Sequence, residues 1–251
     1  MLLDLKGKVV CVTGAARRVG RAIALEFARQ GAHLVIHHNS SDADAESAAV
    51  EARGLGVEAL IVKVDQADPD DVARMFDTIC AYYGRLDVMV NSAASFKRTP
   101  LLEIDYAEWQ SVIGINLTGP FLCTQHAARL MIEGGRGGAI VNISDNSGLK
   151  PWAARPHHSV SKAGVIMLTQ VSALALAEHN IRVNCVVPGP VLRPAGEPED
   201  VLEQIARGLP LGHIGQPNDI ARACVFLATN DFATGAILRV DGGEGLAGSE
   251  T

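Results

Sequence analysis

Three side chains able to hold or move a proton stand near one another in the sequence. They are Asp145, His158 thirteen residues later, and Lys162 four residues after that. The i,i+4 spacing predicts His158 and Lys162 on one face of a helix. The apolar, β-branched run at 139–144 reads as a strand, which leaves Asp145 at its carboxyl end, facing the same pocket. Histidine ordinarily titrates near about 6.5 and tyrosine near about 10, so an imidazole can give up a proton near neutrality without a neighbour's help. The chemistry such a trio offers is general acid catalysis, with Asp145 orienting the ring or itself donating. Two blander readings stay open: a binding site with weak or altered chemistry, and a helix histidine that does nothing. His157 lies about 100° around the helix from His158 and reads as a bystander.

The other chemically informative stretch lies near the start. Val9, Val10, Cys11 and Val12 form a short apolar run, the mark of a strand buried on both faces. A turn follows at 13–20, then helical spacing over 21–30, with Gly31 as the stop. A glycine-bearing turn between a buried strand and a helix presents backbone N–H groups to an anion, which is how a dinucleotide pyrophosphate is held. The spacing is not GxGxxG, because only Gly14 and Gly20 are present, and an ordinary strand-to-helix turn is the alternative.

The elements that must position these groups alternate along the chain. Strands are expected at 9–12, 33–37, 58–63, 86–90, 139–144, 181–187 and 236–240. Helices are expected at 21–30, 42–53, 69–83, about 106–133, 157–178, about 199–207 and 219–229. Alternation of this kind predicts a parallel sheet covered by helices on both faces. Pro120 falls inside the 106–133 helix and has no N–H, so the Asn116 carbonyl loses its helical partner. A Pro- and Gly-rich loop is expected at 188–198, and 192–211 is the candidate lid.

A chain of 251 residues, 48% hydrophobic, suits one large α/β domain. A net charge of −6 argues against a general affinity for nucleic acid or anionic membrane. No uninterrupted apolar run of membrane-spanning length is expected, and the opening residues Met1, Leu2, Leu3 and Asp4 do not begin a signal peptide. Five cysteines lie far apart with no CxxC pair and read as buried free thiols in a reducing compartment, so a cytoplasmic location is expected.

Taken together these pieces resemble the short-chain dehydrogenase/reductase family, in its order and over nearly the whole chain. The matching residues are Thr13, Gly14 and Gly20; Asp65; Asn91, Ser92, Ala93 and Ala94; Asn116; Asp145, His158 and Lys162; Pro188 and Gly189; and Val240, Asp241, Gly242 and Gly243. Within the family the chain looks most like the pteridine reductases. They carry a similar turn with two basic residues, a similar Asn91–Phe96 segment, and Asp where most members have a catalytic Ser. The family usually has Tyr where this chain has His158, and no YxxxK occurs here.

The resemblance implies a single Rossmann-type domain over 1–251, a doubly wound, seven-stranded parallel sheet with NAD(P) across the carboxyl ends of its strands. It implies cofactor contacts from Gly14, Arg17, Arg18, Val19, Gly20, Asp65, Gln66, Asn91, Ser92, Ala93, Lys162, Pro188, Gly189 and Val191. It implies catalysis by Asn116, Asp145, His158 and Lys162, with the Asn116 carbonyl holding a water that leads protons to the lysine. Arg18, Ser95, Phe96, Asp145 and His158 would meet substrate, Phe96 by stacking on a flat heterocycle. No metal is expected, and a homotetramer packing through the 106–133 and 157–178 helices is.

The second strand ends on His37, and His38, Asn39, Ser40 and Ser41 follow, with no carboxylate until Asp42. Donors and cations there favour a 2′-phosphate over a bare ribose, so NADP(H) is expected over NAD(H), with Arg17 or Arg18 and His38 supplying charge. The expected activity is NADPH-dependent reduction of a C=N or C=O bond in a small, pterin-like substrate. The alternatives are a ketoreductase like the 3-oxoacyl-carrier-protein reductases and a dinucleotide-binding protein without turnover.

Overall fold

The computed structural model describes residues 3–192 and 201–247. Seven strands, β1 (Val9–Val12), β2 (His33–His38), β3 (Ala59–Lys63), β4 (Val88–Asn91), β5 (Gly138–Ile143), β6 (Ile181–Pro188) and β7 (Ile237–Val240), form one sheet in the order β3-β2-β1-β4-β5-β6-β7. Every neighbouring pair is parallel. The pleat sends alternate residues to opposite faces. Val10 and Val12 join the core under α1 (Arg18–Arg29), α2 (Asp42–Gly54) and α8 (Pro217–Thr229). Val9 and Cys11 join the core under α3 (Pro69–Tyr83) and α5 (Gly119–Glu133). Both faces are therefore covered, and the β1 residues are fully or almost fully buried.

The chain runs outward from β1 to β3 at one edge, then returns to place β4 on the other side of β1. Such a reversal opens a crevice at the carboxyl ends of the two central strands. Val12 is level with Ile36 on one side and Val90 on the other, so the three segments that follow emerge together.

The structure departs from the sequence expectations at several places. Helix α1 begins at Arg18, three residues early: the Arg21 N–H already bonds to the Arg17 carbonyl, although Arg18 itself holds a positive φ of 54°. The expected 106–133 helix is divided into α4 (Tyr106–Ile113), a π-helical turn (Gly114–Thr118) and α5. In the π turn the Gly119 N–H bonds to the Gly114 carbonyl, a widening compatible with the N–H that Pro120 lacks. Cys80 is exposed, whereas the other four free thiols are buried. Helix α6 (Pro156–Leu176) and the turn after it make one element over Pro156–His179, long and apolar enough by length and composition to cross a membrane. Linear inspection missed it because His158 and Lys162 interrupt the run, and both are turned inward onto the sheet's carboxyl edge. Of the candidate lid, 193–200 lies outside the described residues, and α7 (Val201–Arg207) follows it.

Candidate active site

A cleft of about 410 Å³ opens over the crevice, walled by Gly14, the turn at 17–20, the loop at 38–41, Gln66, Ser92 and Ala93. The backbones around it approach as closely as glycine allows. Gly14 sits at φ +67°, and a Cβ there would stand 3.0 Å from the Ala93 Cα. A Cβ on Gly20 would stand 2.2 Å from the Gly14 carbonyl oxygen, so only glycine lets α1 begin this close to the turn. The Thr13 hydroxyl accepts from the N–H groups of Ser92 and Ala93 at 2.9 and 3.0 Å and fixes the opposite wall. Gln66 donates to the Ile115 carbonyl at 2.6 Å, tying the end of β3 to the π turn.

These walls fit a dinucleotide. The first turn of α1 has N–H groups with no partner inside the helix, Arg17 and Arg18 are exposed beside it, and among the described residues no carboxylate lines the cleft. His38 corrects one expectation. Its ring is buried, its Nδ1 accepts from the Ser41 N–H at 3.3 Å, and burial lowers its pKa, so it shapes the loop as a neutral ring instead of supplying charge. Asn39 and Ser40 are exposed at the rim.

Several expected cofactor residues do not form the walls of this cleft. Asp65 turns onto its own backbone, accepting from the Ala67 N–H at 2.9 Å. Asn91 is buried beneath, donating to Asn142 Oδ1 at 2.8 Å, because its side chain follows the pleat of β4 into the sheet. Pro188, Gly189 and Val191 lie at the end of β6, where a Gly189 Cβ would be 2.5 Å from the Asp241 Cα. Lys162 lies further along the carboxyl edge.

The second half of the site is built on α6 and the end of β5. His158 Nε2 stands 2.5 Å from Asp145 Oδ2. Asp145 Oδ1 accepts from the Ser147 N–H at 2.9 Å and its hydroxyl at 2.5 Å. Burial pushes the Asp145 pKa up, but the bond from His158, the Lys162 charge and Ser147 outweigh it, and the net shift is below the usual value.

The other ring nitrogen is anchored too. Asn116 Nδ2 donates to the Ser95 carbonyl at 2.9 Å and to Ser161 Oγ at 3.2 Å, which uses both its hydrogens, and stands 3.2 Å from His158 Nδ1. Asn116 Oδ1 accepts from the Ser95 N–H at 2.7 Å, so one amide clamps both backbone groups of Ser95. His158 Nδ1 lies 3.1 Å from that same Ser95 carbonyl and donates to it. With Nδ1 protonated, a nitrogen and a carboxylate oxygen at 2.5 Å hold one proton between them. Lys162 is buried, donates to the Ile143 carbonyl at 2.9 Å, and has its pKa lowered by burial against the opposing pull of Asp145 and Cys185. His157 faces away, with Nε2 3.1 Å from Glu108 Oε1.

An aromatic wall flanks His158. The Phe96 ring meets the imidazole edge-on at 4.8 Å, and Trp152 lies nearly parallel to it at 6.3 Å. Arg155 Cζ sits 3.8 Å over the Phe96 ring centroid and Nη1 donates to the Phe96 carbonyl at 3.0 Å, so one face of Phe96 is already covered. Sequence reasoning missed Trp152, Ser147 and Ser161, and took His37 only as part of the polar stretch at 37–41. Only Ser147 had a local signal, an Asp two residues before it, as in an Asx turn.

A family profile described as enoyl-(acyl carrier protein) reductase matches residues 14–244. The chain is 42% identical to cis-4-hydroxycyclohexanecarboxylate dehydrogenase of Sinomonas cyclohexanicum over 94% of this chain and 96% of that one. It is 39% identical to L-rhamnose 1-dehydrogenase (NAD(P)(+)) of Azotobacter vinelandii over 97% of each. The crystal structure of a short-chain type dehydrogenase/reductase from Mycobacterium marinum superposes with a TM-score of 0.90 at 33% identity, covering 97% of both chains. Sheet order, a glycine-walled crevice and these likenesses agree: the chain belongs to the short-chain dehydrogenase/reductase family of NAD(P)-linked oxidoreductases.

Proposed function

We propose that this protein is an NADP(H)-dependent oxidoreductase acting on a small ring-bearing substrate, at a carbon that alternates between C–OH and C=O or between C–NH and C=N. The observation that carries this reading is the His158–Asp145 pair, 2.5 Å apart at the carboxyl edge of the sheet beside the cleft, close enough to share one proton. Arg17 and Arg18 would hold the phosphates and Lys162 the nicotinamide ribose. When bound, the nicotinamide supplies or accepts the hydride. The proton held between His158 Nε2 and Asp145 Oδ2 would pass to the substrate oxygen or nitrogen from the Asp145 side, while Ser95 and Asn116 keep the ring from turning. Once the substrate has taken that proton, one from water would restore the proton shared by Asp145 and His158.

Two relatives are named for ring substrates, L-rhamnose and a hydroxycyclohexanecarboxylate, and the Phe96–Trp152 wall supports a ring beside His158. Pterins belong to the same shape class, though the Arg155 guanidinium over Phe96 leaves only one ring face for stacking. Exposed Val160, Met167, Val171 and Leu174 form a stripe on α6 that supports the homotetramer, and the five free cysteines support a cytoplasmic location. The test is NADPH oxidation with dihydropterins, quinonoid pterins and small cyclic ketones, and NADP⁺ reduction with the corresponding ring alcohols. Turnover of one class that His158→Gln abolishes, with NADPH still bound, supports the reading. Tight NADPH binding without turnover of any would favour a dinucleotide-binding protein instead.

A further inference from the structure

His37 is the fifth residue of β2 and its ring is almost wholly buried between the first turn and the end of β3. Its Nε2 lies 3.1 Å from the Val64 carbonyl, an acceptor only, so Nε2 carries the hydrogen. That leaves Nδ1 bare, and it accepts the Gly14 N–H at 3.1 Å. The His37 backbone carbonyl accepts the next N–H, that of Ala15, at 3.0 Å. One residue therefore engages two successive N–H groups of the turn.

We propose that His37 is a positioning residue for dinucleotide binding: by holding the Gly14 N–H inward, its ring sets the shape of the turn and leaves the first turn of α1 to meet the phosphates. The assignment follows from where the donors point. Gly14 at φ +67° reverses the chain, and its N–H would otherwise compete for the anion. With Gly14 and Ala15 engaged from below, Val19 and Gly20 lie in the helical turn whose N–H groups have no intrahelical partner. The ring also braces that turn against β3, since the Val64 carbonyl is its other support.

The two ring nitrogens can be tested apart, because asparagine places an amide oxygen near the Nδ1 position and glutamine reaches only toward Nε2. Dissociation constants for NADPH are measured by nicotinamide fluorescence on the full chain and on His37→Asn, His37→Gln and His37→Leu, with the melting temperature of each. His37→Asn should stay within about threefold of the parent, whereas His37→Gln and His37→Leu should bind roughly tenfold more weakly, the scale of one lost hydrogen bond to an anion-holding turn. Equal affinities for His37→Asn and His37→Gln would overturn the proposal. That comparison decides even if His37→Leu fails to fold, and a change in melting temperature without one in affinity would also overturn it. The inference rests on dinucleotide binding but not on NADP selectivity. A parent that prefers NADH is tested with NADH, and a parent that binds neither cofactor overturns the binding reading and this inference together.

Discussion

Asp145 Oδ2 and His158 Nε2 stand 2.5 Å apart across the gap between the end of β5 and the first turn of α6. Neither group is placed there by its own element alone: Ser147 holds the far oxygen of the carboxylate and Ser95 the far nitrogen of the ring. Asp145→Asn keeps the size and a hydrogen bond but removes the charge that retains the shared proton. Turnover of whichever ring substrate the panel identifies should fall by roughly 10²–10⁴, with the dissociation constant for NADPH unchanged. Steady-state rates beside fluorescence titration separate the two, and unchanged turnover would remove Asp145 from the chemistry.

His158→Tyr would restore the residue most of the family carries, yet it should lose activity. A phenol is longer than an imidazole, and the space beyond Nε2 is already closed by Asp145. Replacing both, Asp145→Ser with His158→Tyr, makes room and should recover more rate than the single changes predict when added. A large gain from His158→Tyr alone would mean that the histidine is a degenerate acid, and it would favour the non-catalytic reading.

Selectivity for the 2′-phosphate should reside in Arg17 and Arg18. Arg17 is shared with Asp44, 3.4 Å away and largely exposed, so its charge can be redirected to a ligand at little cost. Alanine at either position should weaken NADPH binding by about tenfold and NADH binding far less. Arg18 carries a second signature. It holds φ +54°, a conformation that costs a non-glycine residue about 1 kcal/mol, so Arg18→Gly should raise the melting temperature while lowering NADPH affinity. Tighter binding of NADH than NADPH by the parent chain would end the NADP assignment.

Acid should destabilise the protein in a window set by His37. Burial is the larger cause and pushes its pKa from 6.5 to about 4, against the bond to the Val64 carbonyl. Between those values the unfolded chain binds more protons than the folded one, so stability falls as pH falls, by up to about 3 kcal/mol in all. Asp145 acts lower down. Its depressed pKa contributes stability that is present above about 4 and is lost only as pH falls through the folded value. Melting curves from pH 7 to 4 should show a decline that His37→Asn flattens, and identical slopes in the two chains would contradict the neutral-ring assignment.

Much of the architecture was legible because it rests on local signals. The apolar runs that became β1, β2 and β5 are β-branched and short, and the helix starts at Asp68 and Asp105 carry side-chain caps. The break between α4 and α5 was only half legible. Pro120 announces a missing N–H, but nothing in the sequence says whether a helix answers by kinking or by widening into a π turn.

By itself, then, the sequence determined the alternation of strands and helices, the glycines at 14 and 20, and the presence of an acid, an imidazole and an amine with their spacing along the chain. Only the tertiary structure decided which groups meet. His158 is held by Ser95, 63 residues away, and His37 by Gly14, 23 residues away, contacts that no periodicity encodes. It also turned Asn91 and Asp65 away from the cleft and neutralised His38, because pleat direction, burial and available acceptors are properties of neighbours in space. Local pattern follows from bonds along one chain, whereas a protonation state and a hydrogen-bond partner follow from whatever the fold brings within about 3 Å.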